Sequence, residues 1–258
     1  MLRRWLRIST CITAIATMAL VLSSAALAGE VLTVAVASSL YPLMQKQAAA
    51  FEKQHDVSVR LISGSTGRLY NQIVQGAPFD LFIAADAKYT EQLREQGKTG
   101  SIVEVGEGYL GVMSGDGLII DMIQLTDPAI RRIAIANPEV APFGKAAKRV
   151  LEQQEFWHRL ATKFVYAQNA MQARMMVDNG LVDAGFVPVQ SGAVAIAVIH
   201  YQGVLLRDKT LARVWLKSIQ DSQLSIVQPS VPQPSRSQPS RSQPSMSQKS
   251  VCKASRPS

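Results

Sequence analysis

Apolar and polar positions fall into blocks along this chain, and one block type occurs four times. A short apolar run leads into a turn of small or hydroxyl residues, and a helical pattern follows. The blocks are Leu32–Met44 (LTVAVASSLYPLM), Val57–Ile73 (VSVRLISGSTGRLYNQI), Arg131–Leu151 and, more faintly, Lys163–Val177. Apolar runs bounded by turn residues predict strands at Leu32–Ala37, Val57–Ile62, Leu81–Ala85, Tyr109–Met113, Ile133–Ala136, Phe164–Tyr166 and Ala184–Val187. Helical spacing predicts helices near 40–54, 67–76, 87–97, 144–154, 156–162 and 170–179. Pro42 fits the first turn of its helix, where a missing N–H costs nothing. Gly76-Ala77-Pro78 reads as a helix stop, and Asp80–Asp86 as a buried central strand. Strands alternating with helices in this way predict an α/β fold with mostly parallel strands.

In such sheets ligands sit beyond the carboxyl ends of the strands. Each of the four turns lies at that end and presents unpaired backbone N–H groups at a helix start, with the helix dipole behind them. Four such turns in one chain predict a pocket for a small oxyanion that needs no charged side chain.

Both ends of the chain differ from its middle. Arg3, Arg4 and Arg7 precede an apolar, uncharged stretch from Ile8 to Ala26 that ends in Ala26-Leu27-Ala28. This is the pattern of a signal peptide over residues 1–28, cleaved after Ala28, and it predicts export to a bacterial periplasm. From Gln228 the chain runs QPSVP, QPSRS, QPSRS, QPSMS, a low-complexity repeat too poor in apolar residues to build a core. Residues 227–258 are therefore expected to be a disordered tail, either a tether or an unselected extension.

These ends also change the meaning of the charge. The net charge is +8. The leader holds three basic residues and the tail five (Arg236, Arg241, Lys249, Lys253, Arg256), neither holds an acidic one, and removing those eight from 27 leaves 19 basic residues against 19 acidic. A neutral middle argues against nucleic acid as a partner. The two cysteines, Cys11 and Cys252, lie in leader and tail, so the middle forms no disulfide. His55, His158 and His200 lack metal-ligand spacing. GSTG (Gly64–Gly67) is not a nucleophile elbow, and Phe143-Gly144-Lys145 lacks the rest of a phosphate loop. No enzymatic activity, cofactor or direct cation ligand is expected.

Thr33–Leu40 (TVAVASSL), Ser63–Ile73 (SGSTGRLYNQI), Gly76–Asp86 (GAPFDLFIAAD), Ala136–Ala147 (ANPEVAPFGKAA), Ala167–Ala173 (AQNAMQA) and Asp183–Gly192 (DAGFVPVQSG), in that order, resemble the periplasmic molybdate-binding proteins that serve ABC importers. The resemblance covers residues 30–190 well and 200–226 poorly. It implies a two-lobed periplasmic-binding-protein fold with the ligand cleft between the lobes. The first lobe would comprise 29–108 with 203–226, the second 109–202. It further implies high-affinity binding of molybdate and tungstate by a monomer that hands the oxyanion to a permease in the inner membrane. By position, Ser39 matches a hydroxyl ligand, Ser65 and Thr66 match a second hydroxyl turn in which either can donate, and Phe143 and Ala170 match positions that offer backbone N–H groups. The chain departs from the family in three places. It has Pro188 near the position where some relatives carry a ligand tyrosine. It is about a dozen residues short between Gly192 and His200. The ending of the last helix, which ARVWLKS (Ala212–Ser218) begins, is replaced by the repeat.

Molybdate is a fully deprotonated tetrahedral dianion that only accepts hydrogen bonds, so its pocket should offer only donors. Hydrogen phosphate carries a proton that such a pocket cannot receive. Arg68 and Lys145, in first helical turns, are expected to face solvent, and Asp86 to cap a helix or hold the interlobe surface. A pocket for sulfate or another small anion shares all these features, and a damaged C-terminus would leave a non-functional homologue; both readings stay open at this level.

Overall fold

The computed structural model describes residues 29–115, 117–119, 121–189, 194–222 and 224–225. The proposed leader, the tail and both cysteines lie outside these residues. The first strand, β1 (Glu30–Ala37), passes through a single 3-10 turn (Ser38–Leu40) into α1 (Tyr41–Glu52). Then follow β2 (Val57–Gly64), α2 (Thr66–Val74), β3 (Leu81–Ala84), α3 (Ala87–Glu95) and the long β4 (Ile102–Ser114). The second run is β5 (Gly117–Ile119), β6 (Ile133–Ala136), α4 (Pro142–Gln153), α5 (Trp157–Leu160), β7 (Phe164–Ala167), α6 (Ala170–Asp178) and β8 (Ala184–Val189). It closes with β9 (Ala197–Leu205), α7 (Thr210–Asp221) and β10 (Leu224–Ser225).

The strands β3 (LFIA) and β6 (IAIA) are buried at every residue, as strands covered by helices on both faces must be. The strand order is β2-β1-β3-β9-β4-β8-β6-β7. Pairing is parallel within β2-β1-β3 and within β8-β6-β7, and antiparallel through β3-β9-β4-β8. Two parallel lobes are thus joined through a pair of long antiparallel strands. The expected parallel pairing holds within each lobe; the middle is antiparallel because β4 leaves the first lobe and β9 returns to it.

The predicted strand Tyr109–Met113 is only the second half of β4. Its first half, with Glu104, Gly106, Glu107 and Gly108, lacks a clean apolar alternation and carries a register shift between Glu104 and Gly106. Val189 of β8 and Val198 of β9 lie opposite the same residue, Tyr109, on its two sides. The Ile196 N–H donates to the Leu110 carbonyl at 2.8 Å. Residues 190–193, part of the stretch expected to be about a dozen residues short, lie outside the described residues.

The return to the first lobe is well anchored. Ala212, Trp215, Leu216 and Ile219 bury one face of α7, and Trp215 stacks on Phe51 of α1 at 5.8 Å between ring centres. Asp80, also buried, ties three segments together. Its carboxylate accepts from the Thr33 N–H at 2.8 Å and from Lys209 Nζ at 3.1 Å, and its carbonyl accepts from the Leu206 N–H at 3.0 Å. In the second lobe, Asp183 accepts from the backbone N–H groups of Arg132 and Arg131 at 2.8 Å each, which holds its carboxyl below the usual range. No helix among the described residues is long and apolar enough to cross a membrane.

Candidate functional site

The four turns meet. Ala37–Ser39, Gly64–Thr66, Ala85, Ala141–Phe143 and Ala170 line one cavity between the lobes. All five residues predicted as ligands are among them. The cavity measures about 10 Å³, the room that a single water needs. Among the described residues no charged side chain lines it.

Each turn brings its residue to the wall differently. Ser39 sits within the 3-10 turn ahead of α1, 3 % exposed. Its Oγ accepts a 2.8 Å hydrogen bond from the Tyr201 hydroxyl of β9. Tyr201 is buried, and burial pushes its phenol well above its ordinary pKa, an effect that the bond to Ser39 only partly offsets.

Ser65 occupies the N-cap position of α2, where a serine ordinarily bonds to the helix start. Here it makes no capping bond. Its Oγ is buried without any partner, an exception that calls for a reason in a folded protein. Thr66, one residue on, is engaged: its Oγ1 accepts from the Ala85 N–H at 3.2 Å.

Phe143 is the second residue of α4, behind Pro142, so its N–H has no acceptor inside the helix. Its side chain belongs to the buried hydrophobic core. The neighbouring Gly144 is required by close approach, since a Cβ there would lie 1.9 Å from the Ala136 carbonyl oxygen. Ala170 opens α6, whose N-cap Asn169 accepts from the Gln172 N–H at 2.9 Å.

The charged residues stand around the rim. Asp86 caps α3 by accepting from the Lys88 N–H at 3.0 Å, and it pairs across the cleft with Lys145 Nζ at 3.2 Å. Both roles expected of it are thus filled. Arg68 donates to Gln168 of the other lobe at 3.2 Å, and the Gly67 N–H donates to the Val140 carbonyl at 3.0 Å. Lys145 and Arg68 are exposed as expected, yet both bridge the lobes. Among the described residues no group of three or more His, Cys, Asp or Glu side chains is placed to hold a metal ion.

Tyr201 is the residue that sequence reasoning missed. Along β9 exposed His200 and buried Tyr201 alternate, so a buried tyrosine was legible, and buried tyrosine hydroxyls usually have a partner. That the partner is Ser39, 162 positions away, required the fold.

Residues 32–221 match the family model described as bacterial extracellular solute-binding protein. A relative from Azotobacter vinelandii named molybdate-binding protein ModA is 37% identical over 170 residues, covering 64% of this chain and 67% of that protein. A second of the same name, from Rhodobacter capsulatus, is 33% identical over 167 residues, covering 63% of this chain and 65% of the relative. This chain thus spans about two thirds of the length of these relatives. The solved structure of the Azotobacter vinelandii periplasmic molybdate-binding protein superposes with a TM-score of 0.66 at 29% identity, covering 73% of this chain and 92% of that one.

Proposed function

The chain belongs to the bacterial extracellular solute-binding protein family, and from that premise we propose that it captures molybdate, or tungstate, outside the cytoplasm and delivers it to an ABC importer in the inner membrane. The observation that carries this reading is the unpartnered buried hydroxyl of Ser65 in a cavity with no charged side chain on its wall. A buried donor with no partner in the protein at that position suits a guest that accepts hydrogen bonds. Ser39, Ser65, Thr66 and the N–H groups of Phe143 and Ala170 supply the donors. Thr66 Oγ1 accepts from the Ala85 N–H and keeps its own proton, so either hydroxyl of that turn can donate to the anion, and Ser65 is the one whose hydroxyl has no bond among the described residues.

Ser39, Ser65 and Thr66 belong to the proposed first lobe (29–108 with 203–226), and Phe143 and Ala170 to the second (109–202). The ligand therefore bridges the lobes, and its capture is coupled to their closure. At about 10 Å³ the cavity is narrower than a four-oxygen anion. Entry stretches the contacts that cross the cleft, Gly67 to Val140, Arg68 to Gln168 and Lys145 to Asp86. The protein works as a monomer, without turnover and without a resident cofactor. The tightness of the cavity favours sulfate, a smaller dianion of the same shape, as the second reading.

Titration calorimetry of the purified protein with molybdate, tungstate, sulfate and the hydrogen phosphate dianion tests this. The expected result is saturable one-to-one binding of molybdate and tungstate, with sulfate weaker and hydrogen phosphate weakest. Binding of sulfate alone would replace molybdate by the second reading, and no binding of any of the four would refute both.

A further inference from the structure

We propose that Tyr201 is a specificity-determining positioning residue: by donating a hydrogen bond to Ser39, it biases that serine toward donating to the guest and so weights the cavity against protonated oxyanions. The inference rests on the oxyanion reading above.

A serine hydroxyl has one proton and two lone pairs, so a lone serine on a cavity wall can either donate to a guest or accept from it. It therefore cannot tell an oxyanion that only accepts from one that carries a proton. Ser39 is not alone. The Tyr201 oxygen lies 2.8 Å from Ser39 Oγ in a buried setting. Of the two hydroxyls the phenol is the stronger acid and the poorer acceptor, which sets the direction from Tyr201 to Ser39. With one lone pair so occupied, Ser39 keeps its proton and one lone pair. Hydrogen bonds in such a chain reinforce one another: a hydroxyl that already accepts one bond is a stronger donor and a weaker second acceptor, which biases its proton toward a guest that accepts.

The phenol is held in place by the strands that join the lobes. Tyr201 lies on β9 opposite Gly106 of β4. Its ring covers Gly108 so closely that a Cβ there would meet the hydroxyl oxygen at 2.5 Å and the ring at 2.7 Å. The ring cannot shift toward β4, and the buried hydroxyl reaches Ser39. Burial keeps the phenol neutral, and hence a donor, well into the alkaline range.

Removing the hydroxyl frees the Ser39 lone pair while the ring keeps its volume. In Tyr201→Phe, Ser39 accepts a hydrogen bond from the guest more readily, since neither lone pair is engaged and the bond that favoured its donating is gone. At mildly alkaline pH molybdate and hydrogen phosphate carry the same charge, so they differ at this point by one proton rather than by charge. The expected result from titration calorimetry is that Tyr201→Phe binds molybdate about tenfold more weakly. Hydrogen phosphate is bound as well as before or better, so the preference between the two collapses. A merely structural role would weaken both alike. In a Ser39→Ala background the Phe substitution should leave the preference unchanged, since the residue through which it acts is gone.

An equal loss for both anions in Tyr201→Phe, or a preference that still changes in the Ser39→Ala background, overturns the filter and leaves the oxyanion reading standing. A wild-type protein that binds none of the tetrahedral anions overturns the reading, and the filter with it. A ligand-free melting curve for each variant establishes that it is folded. Gly108→Ala, whose Cβ would press on the Tyr201 hydroxyl and ring and displace both, is expected to relax the preference in the same direction.

Discussion

The Ser39 turn and the Ser65 turn follow the same local pattern, an apolar strand ending in a hydroxyl residue ahead of a helix, yet they hold their serines in opposite ways. Ser39 is bonded to a tyrosine on the strand that returns between the lobes. The Ser65 hydroxyl has no partner among the described residues and declines the capping role its position offers. In the reading proposed above, one hydroxyl is engaged by the protein and the other is completed by a guest, so the wall separates a donor that the fold also uses from one that the ligand alone uses. Stability and affinity should therefore respond differently at the two serines.

Ser39→Ala should have the largest effect, because it acts on both quantities. It removes a donor to the anion and leaves the buried Tyr201 hydroxyl without its partner. A cost of about 1–3 kcal/mol in ligand-free stability is expected from denaturant unfolding. Ser65→Ala should separate the two quantities. Ligand-free stability is unchanged or slightly raised, because a buried unsatisfied group is removed, while molybdate affinity falls about ten- to a hundredfold with the loss of a hydrogen bond to a charged ligand. Thr66→Val sharpens the contrast further. It strips the Ala85 N–H of its acceptor and should cost about 1–3 kcal/mol of ligand-free stability, which Ser65→Ala does not.

The Tyr201 side of the comparison has its own pH signature. A group whose pKa is raised on folding contributes stability that is full below its unfolded value and is lost as pH rises above it. Wild type should therefore lose stability above about pH 10, the ordinary phenol pKa, and Tyr201→Phe should lose less over the same range in melts followed by circular dichroism. The smallest effect belongs to the rim. Lys145→Ala breaks an interlobe pair in which the lysine side chain is 57 % exposed, and about 0.2–1 kcal/mol, screened by salt, is expected.

The four turns were legible in the sequence because each is a local pattern, complete within a dozen residues. All five predicted wall residues do reach one cavity. Three features were not legible, each because its cause lies elsewhere in the chain. The first half of β4 looks too polar and glycine-rich for a strand, yet Gly108 is where the ring of Tyr201 must fit. The strand β9 went unpredicted, although its neighbours β3 and β4 fix it on both sides. The engagement of Thr66 by Ala85, which distinguishes it from Ser65, arises only when β3 is placed beside β1. The C-terminal return looked weakest by resemblance, but Trp215 and Asp80 anchor it through contacts with β1, β3 and α1.

The most direct test of the central claim is a pair of thermal melts, wild type and Ser65→Ala, each without ligand and with molybdate at a hundredfold excess over the wild-type dissociation constant. The ligand-free midpoints should agree. Molybdate should then stabilise wild type by about 2.7 kcal/mol and Ser65→Ala by about half of that or less. Equal stabilisation of the two proteins, or none in either, would contradict the assignment of Ser65 and its cavity to the oxyanion.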